Sequence, residues 1–118
     1  MTPHRPGSLA AGLTAFGVPA GSRIAVMATG PDARLATTAI RLARCEPVPI
    51  PQDSAGVRLR SRLQGVVAAL AAGEDQALAI GRLAGDLTEL RFLWQLSSGA
   101  FDELAAASAG TLPAGFVD

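Results

Sequence analysis

The residues with the clearest potential for chemistry are Ser97, Ser98 and Gly99, which end an apolar run and precede a predicted helix. Small residues at this position are typical of a loop that binds phosphate through the backbone N–H groups of a helix N-terminus. They are equally typical of a helix N-cap, in which Ser98 would accept a hydrogen bond. Asp102 and Glu103 follow in the first helical turn, where their carboxylates would repel an anion. Both interpretations stay open: a helix cap at Ser98, or a residual cofactor-binding phosphate loop at Ser97, Ser98 and Gly99.

The composition excludes several kinds of catalytic and metal site. All ten basic residues are arginine, and the chain contains neither lysine nor tyrosine. Schiff-base chemistry and a phosphate loop with a lysine are therefore excluded. A single cysteine, Cys45, cannot form an internal disulfide or a multi-cysteine metal site, and a single histidine, His4, cannot complete one with it. The sequence predicts no catalytic residue, no metal site and an inert, half-buried thiol at Cys45.

The length and hydropathy favour a single globular domain over residues 1–118. The chain has 118 residues, of which 49% are hydrophobic and 17% are charged, so it is far from the disordered class. No apolar stretch approaches the roughly 20 residues that a membrane span requires, and the N-terminus lacks the features of a signal peptide. We expect a cytoplasmic protein that does not bind a membrane.

Residues 8–51 predict a βαβ-like half. A helix is expected over residues 8–17, with Ser8 as its N-cap, followed by a buried strand over residues 23–28. A second helix begins near Pro31 and Asp32 and ends near Arg41 and Arg44, as favourable interactions with the helix dipole require. The prolines of residues 47–51 indicate a short strand at a sheet edge. The fold class is therefore α/β, with a small parallel βαβ unit over residues 23–51 flanked by helices.

Residues 56–109 predict a mainly helical half. Leucine and valine spacing indicates one helix over residues 56–72 and a second over residues 74–94, and a short final helix is expected over residues 101–109. Residues 91–96 fit either the end of the second helix or a buried strand. Gly81 and Gly85 lie four residues apart, which indicates tight packing within the fold, sequence drift without a structural role, or a face for self-association.

Residues 9–51 resemble the N-terminal region of the adenylate-forming superfamily, which includes acyl-CoA synthetases, luciferases and the adenylation domains of peptide synthetases. The segments "FGVPAGSRIAV" and "RLARCEPVPI" are similar to the family's "LGV.PGDRVAV" and "LKAG..YVPL". The stretch "LTELRFLWQLSSGA" is similar to the approach to the family's phosphate-binding loop. The resemblance implies that Ser97, Ser98 and Gly99 correspond to the first half of that loop.

The chain departs from the family pattern after Gly99. Ala100 and Phe101 replace a threonine and a glycine, and no lysine follows. The resemblance implies that a family enzyme needs further segments for its adenine and acyl pocket, its magnesium carboxylate and its catalytic lysine. We therefore expect a shortened and diverged fragment that cannot form an acyl adenylate and has no cofactor, although binding of ATP or AMP stays open.

Charge is unevenly distributed along the chain. Residues 1–62 contain eight arginines and three acidic residues, whereas residues 63–118 contain two arginines and seven acidic residues. Opposite charges favour contact between the halves or association between chains. The sequence predicts an accessory module in a biosynthetic pathway that acts through a protein partner or as a homo-oligomer.

Three other functions compete with this prediction. One is a domain that binds a nucleotide or acyl acid in a crevice near Thr29 to Asp32, with Arg34 or Arg44 as counter-charge. Another is a part of an AMP-forming acyl or aminoacyl ligase that another chain completes. Nucleic-acid binding is disfavoured because the net charge is zero, despite the local cluster of Arg58, Arg60 and Arg62.

Overall fold

The computed structural model describes residues 5–108 of the chain. Within this range, a parallel sheet of four strands in the order β2-β1-β3-β4 is flanked by five α-helices. The α/β class and the parallel pairing of β1 with β2 are confirmed. The α-helices are α1 Pro6–Ala15, α2 Gly30–Leu42, α3 Gly56–Arg62, α4 Glu74–Gly81 and α5 Ala100–Ser108, and the strands are β1 Arg23–Met27, β2 Glu46–Pro49, β3 Val66–Ala71 and β4 Phe92–Gln95.

The N-terminal elements follow the predicted order with small differences at their ends. Helix α1 begins at Pro6 with Arg5 at the N-cap, so the prediction of Ser8 as its cap is wrong. The restricted φ of proline favours the first helical turn, which explains the earlier start. Helix α2 begins and ends as predicted, with Asp32 in its first turn and Arg41 in its last. The proline-containing strand β2 lies at a sheet edge, as its composition predicts.

The C-terminal half contains two strands that the helical periodicity concealed. The predicted helix over residues 56–72 ends at Arg62, and Val66–Ala71 forms the central strand β3. The predicted helix over residues 74–94 ends at Gly81, and a short 3-10 turn over Ala84–Asp86 precedes the edge strand β4. Residues 91–96 therefore contain a strand. The half still contains more helix than strand, and the final helix α5 is present as expected.

Strand β3 is apolar on both of its faces because the sheet has a layer of helices on each side. Ala68 and Leu70 pack towards α1, α2 and α5, whereas Ala69 and Ala71 pack towards α3 and α4. The register with β1 skips Val67, which indicates a β-bulge at this position. Because both faces are buried, the strand lacks the alternation of apolar and polar residues by which a strand is usually recognised in a sequence.

Helices α1 and α5 cross in close contact on one face of the sheet. A Cβ atom at Gly12 would overlap the backbone carbonyl of Leu104. By contrast, a Cβ atom at Gly81 or Gly85 would meet nothing within 4 Å among the described atoms, so tight packing, one of the alternatives for this pair, is wrong within the described residues. The glycine that permits close packing is Gly12.

Two further features of the described chain bear on function. No helix among residues 5–108 combines the length and apolar character needed to cross a bilayer. Cys45 is buried, and its thiol lies 3.5 Å from the carbonyl oxygen of Pro19.

Candidate functional site

The carboxyl ends of all four strands lie at one edge of the sheet because the strands are parallel. Thr29 follows β1, Gly73 follows β3 and Ser97 follows β4. Helices α2 and α4 leave the neighbouring strands β1 and β3 towards opposite faces of the sheet. A crevice of this type is where ligands commonly bind in α/β proteins. The predicted crevice at Thr29 to Asp32 and the predicted loop at Ser97 to Gly99 therefore share one edge.

Ser97, which follows β4, is hydrogen-bonded to the residue that follows β3. Its backbone N–H donates a hydrogen bond to the carbonyl oxygen of Ala72 at 3.2 Å. Its hydroxyl lies 2.8 Å from Nε2 of Gln95, which donates to it. A Cβ atom at Gly73 would lie 3.9 Å from the same hydroxyl oxygen. Ser97 is thus held by contacts within the fold, and its N–H is not free for a ligand.

Gly99 sets the direction in which the chain enters α5. Its φ of 88° lies in the left-handed region, which glycine adopts without steric cost. Its N–H donates to the carbonyl oxygen of Leu96 at 3.2 Å, and its carbonyl oxygen accepts from the N–H of Glu103 at 3.1 Å. Because α5 begins at Ala100, the residue at the N-cap position is Gly99 rather than Ser98. Ser98 is the last residue of the preceding 3-10 turn.

Carboxylates lie at the N-termini of all three helices that begin at this edge after β1, β3 and β4. The first turn of α2 contains Asp32, that of α4 contains Glu74 and Asp75, and that of α5 contains Asp102 and Glu103. An oxygen of the Asp102 carboxylate lies 3.4 Å from the position that a Cβ of Gly99 would occupy. These negative charges interact favourably with the helix dipoles and oppose binding of a second anion.

The N-terminus of α4 is also closed by a side chain. The N–H of Gly73 donates to Oε1 of Gln76 at 3.1 Å, which is half of a capping box. Gln76 and Gln95, the two amide side chains that order this edge, were not among the residues predicted from the sequence. The spacing of Gly73 and Gln76 is a signal that could have revealed the first, whereas the contact of Gln95 depends on the conformation of the chain after β4.

The arginines proposed as counter-charges are not gathered around the crevice. Arg44 follows the C-terminus of α2, about 20 Å from Thr29 for a helix of 13 residues. Arg34 lies in the second turn of α2 and lines a shallow concavity on the outer face of this helix together with Arg41. Only Arg34 of the two therefore lies near the crevice.

The three arginines of the cluster on α3 make different contacts. Arg60 and Arg62 lie in the last turn, where the helix dipole favours them, because the helix ends at Arg62. Arg60 lies 3.9 Å from Asp86 in a solvent-exposed ion pair. Arg58 and Arg62 line an open concavity with Val57 and Ser61.

Among the described residues, no group of three or more histidine, cysteine, aspartate or glutamate side chains is placed to hold a metal ion.

Comparison with known proteins reveals a clear likeness of fold. A scan against family models finds no match, and neither does a search of curated protein sequences. Among solved structures, a long-chain-fatty-acid-CoA ligase from Archaeoglobus fulgidus is similar to 86% of this chain, with a TM-score of 0.78 and 15% identity. MatB from Rhodopseudomonas palustris is similar to 96% of the chain, with a TM-score of 0.68 and 17% identity. A fatty acyl-adenylate ligase from L. pneumophila is similar to 92% of the chain, with a TM-score of 0.59 and 21% identity.

The matched region is a small part of each of these structures. The chain spans 21% of the Archaeoglobus ligase, 22% of MatB and 19% of the L. pneumophila ligase. The resemblance predicted from the sequence is therefore confirmed at the level of fold: this chain folds like about a fifth of each of these proteins.

Proposed function

We propose that this chain is a non-catalytic accessory module that acts through its surfaces in a biosynthetic pathway. The observation that supports this function best is the state of the carboxyl edge of the sheet. Two of the three N–H groups of Ser97, Ser98 and Gly99 already donate to carbonyl oxygens of the chain. The helix that follows begins with two carboxylates, Asp102 and Glu103. A loop of this kind offers little to a polyphosphate, which needs convergent free N–H groups and positive charge.

The absence of lysine from the sequence supports the same proposal. Arginine could supply charge, but Arg34 lies on the outer face of α2 and Arg44 lies at the opposite end of that helix. Residual binding of ATP or AMP at Ser97 to Gly99 is the alternative that the titrations below test, and the cytoplasmic location stays a prediction.

The experiment is a pyrophosphate-release assay with the purified chain, ATP, magnesium and a panel of carboxylic acids. We expect no release above the rate without protein, and no heat in calorimetric titrations with millimolar ATP, AMP or CoA. A matched variant, D102N/E103Q, removes two negative charges from the loop without changing side-chain size. If these carboxylates oppose anion binding, this variant binds ATP more tightly than the native chain but still releases no pyrophosphate. Pyrophosphate release by the native chain would overturn the proposal.

A second candidate function is favoured by the extent of the structural match. The chain spans about a fifth of each ligase to which it is similar. It could therefore serve as one section of an AMP-forming acyl or aminoacyl ligase that further polypeptide completes. The test is complementation of the Archaeoglobus ligase from which the superposing segment has been deleted. Adenylate formation on addition of this chain, but not of buffer alone, would favour this candidate over the accessory module.

A further inference from the structure

We infer that two copies of this chain pair through the outer edge of β4 in antiparallel orientation, so that the sheet continues from one copy into the other. The inference rests on the proposed function, because it names the surface through which the module acts. Three independent features carry it: the chemistry of the two sheet edges, exposed leucines beside β4, and the distribution of charge between the two ends of the strands.

The outer edge of β2 is protected against pairing. The N–H groups of Glu46 and Ile50 donate to Ser22 and Val26, each at 2.9 Å, and so point towards β1. Because N–H groups alternate in direction along a strand, those of residues 47 and 49 would point outwards. Both residues are proline and have no N–H. Proline at these positions is a known means of blocking an edge strand.

The outer edge of β4 lacks this protection. The strand, Phe92–Gln95, contains no proline, so each residue retains an N–H donor and a carbonyl acceptor. One side of the strand pairs with β3, and among residues 5–108 no strand pairs with the other side. An open edge of this kind is a template for another strand.

Exposed apolar side chains accompany the open edge. Leu93, in β4, is 39% exposed, and Leu78, in the helix α4 that packs against β4, is 49% exposed. These are two of the four large hydrophobic residues that the described chain leaves exposed. Pairing along β4 would remove part of this apolar surface from water, which hydrogen bonding at the edge alone would not do.

The charges of the described residues separate towards the two ends of the strands. Helices that follow parallel strands run back across the sheet, so their first turns lie at the carboxyl ends of the strands and their last turns lie at the amino ends. Acidic residues in first turns and arginines in last turns therefore accumulate at opposite ends. The carboxyl ends carry six acidic residues and three arginines: Asp32, Asp53, Glu74, Asp75, Asp102 and Glu103, with Arg5, Arg34 and Arg58. The amino ends carry seven arginines and three acidic residues: Arg23, Arg41, Arg44, Arg60, Arg62, Arg82 and Arg91, with Glu46, Asp86 and Glu89.

This separation determines the orientation of the pair. Antiparallel pairing of two β4 strands places the basic amino ends of one copy beside the acidic carboxyl ends of the other, whereas parallel pairing places like charges together. Arg91, which precedes β4, then lies near the end of the second copy's β4, where α5 begins with Asp102 and Glu103. An antiparallel pair has two-fold symmetry and closes as a dimer without forming a filament.

Sedimentation velocity over about 5–500 μM protein tests the inference, since a contact along one strand of four residues is small and small interfaces bind weakly. We expect a dimer in low salt that weakens as salt rises. Leu93→Lys places a charge at the open edge and should weaken dimerisation at least tenfold, with an unchanged circular dichroism spectrum. Val57→Lys is the matched control, because Val57 is 73% exposed on α3, away from β4, and this variant should dimerise like the native chain.

Charge reversal tests the orientation. Arg91→Glu and Glu103→Arg should each weaken the dimer, and the double variant should restore it, because each copy then presents both exchanged charges. A native chain that stays monomeric at all concentrations, a dimer that survives Leu93→Lys, or a double variant weaker than either single variant would overturn the inference. A monomer that releases no pyrophosphate removes the pairing and leaves the non-catalytic role intact. A dimer that releases pyrophosphate would support the pairing and overturn the non-catalytic role.

Discussion

Gly12 of α1 lies directly against the backbone carbonyl of Leu104 in α5, and this contact joins two helices that are distant in sequence. The close approach brings Leu9, Leu13 and Leu104 into one buried cluster on the sheet. No side chain at position 12 can be accommodated without moving a backbone, because the atom that it would meet cannot rotate away. The position of α5, and with it the entry from the Ser97 to Gly99 loop, therefore depends on this glycine.

Gly12→Ala should destabilise the protein by about 2 kcal/mol or more, as overpacking of a rigid contact does. Gly7→Ala, in the same helix, is the control, because a Cβ at Gly7 meets nothing within 4 Å among the described atoms. This control should be neutral or slightly stabilising, since alanine favours helices. Urea denaturation followed by circular dichroism measures both. Equal stabilities of the two variants would mean that α1 and α5 do not cross at Gly12.

The end of α2 provides a site where a substitution should stabilise the chain. Arg44 has a φ of 62°, in the left-handed region, and the N–H of Cys45 donates to Ile40 while that of Arg44 donates to Arg41. These two hydrogen bonds form a Schellman motif, in which glycine is the usual residue at the left-handed position. Arg44→Gly should therefore raise the free energy of unfolding by about 1 kcal/mol.

Arg41→Gly is the control for this substitution. Arg41 lies in the last turn of α2 with helical geometry, so glycine there should lower stability by about 0.5–1 kcal/mol. Thermal unfolding of both variants beside the native chain gives the comparison. Loss of stability in both variants would show that Arg44 does not occupy a strained backbone conformation.

Sequence signals predict an element well when they act within that element. The boundaries of α2 were predictable because Pro31, Asp32 and Arg41 act on the helix that contains them. Strand β3 was not predictable from periodicity, because Val66 and Leu70 fit a helical stripe as well as a doubly buried strand. The relevant signal was Gly65, whose φ of 77° separates α3 from β3. A glycine directly before an apolar run was compatible with both interpretations.

The candidate site was predictable in residue type but not in partners. The sequence identified Ser97, Ser98 and Gly99 and the carboxylates that follow them. It did not identify the contact of Ser97 with Ala72, because this contact depends on the pairing of β4 with β3. Strand order is a property of tertiary packing, and a segment read as a helix cannot reveal it.

An aromatic cluster fixes β4 against α1 and should be a major source of stability. Trp94 stacks on Phe92 with ring centroids 5.1 Å apart. Phe16 contacts Trp94 edge-to-face at 5.5 Å and Phe92 edge-to-face at 6.4 Å. Phe16→Leu keeps an apolar side chain but removes both edge contacts, so it should cost about 1–2 kcal/mol. Trp94→Ala should cost about 3–5 kcal/mol because it also leaves a cavity.

Urea denaturation followed by circular dichroism tests both aromatic variants, and Leu93→Ala is the control. Leu93 lies between the two aromatic residues on the strand but is 39% exposed, so its truncation in the monomer should cost less than about 1 kcal/mol. An effect of Leu93→Ala as large as that of Trp94→Ala would contradict the assignment of the buried face of β4.

The prolines of β2 should act on association rather than on stability. Pro47 and Pro49 deny hydrogen-bond donors to the outer edge of β2, where neither residue is fully buried. Replacing both with threonine restores two outward N–H groups and raises β propensity, so the double variant should unfold at a similar urea concentration while gaining a second open edge. Light scattering should then detect species larger than those of the native chain, since edges at both ends of the sheet permit open-ended assembly. Leu93→Lys combined with the two threonines should abolish growth beyond a pair, because only the β2 edge remains open. A double variant that scatters like the native chain would indicate that the prolines of β2 do not protect this edge.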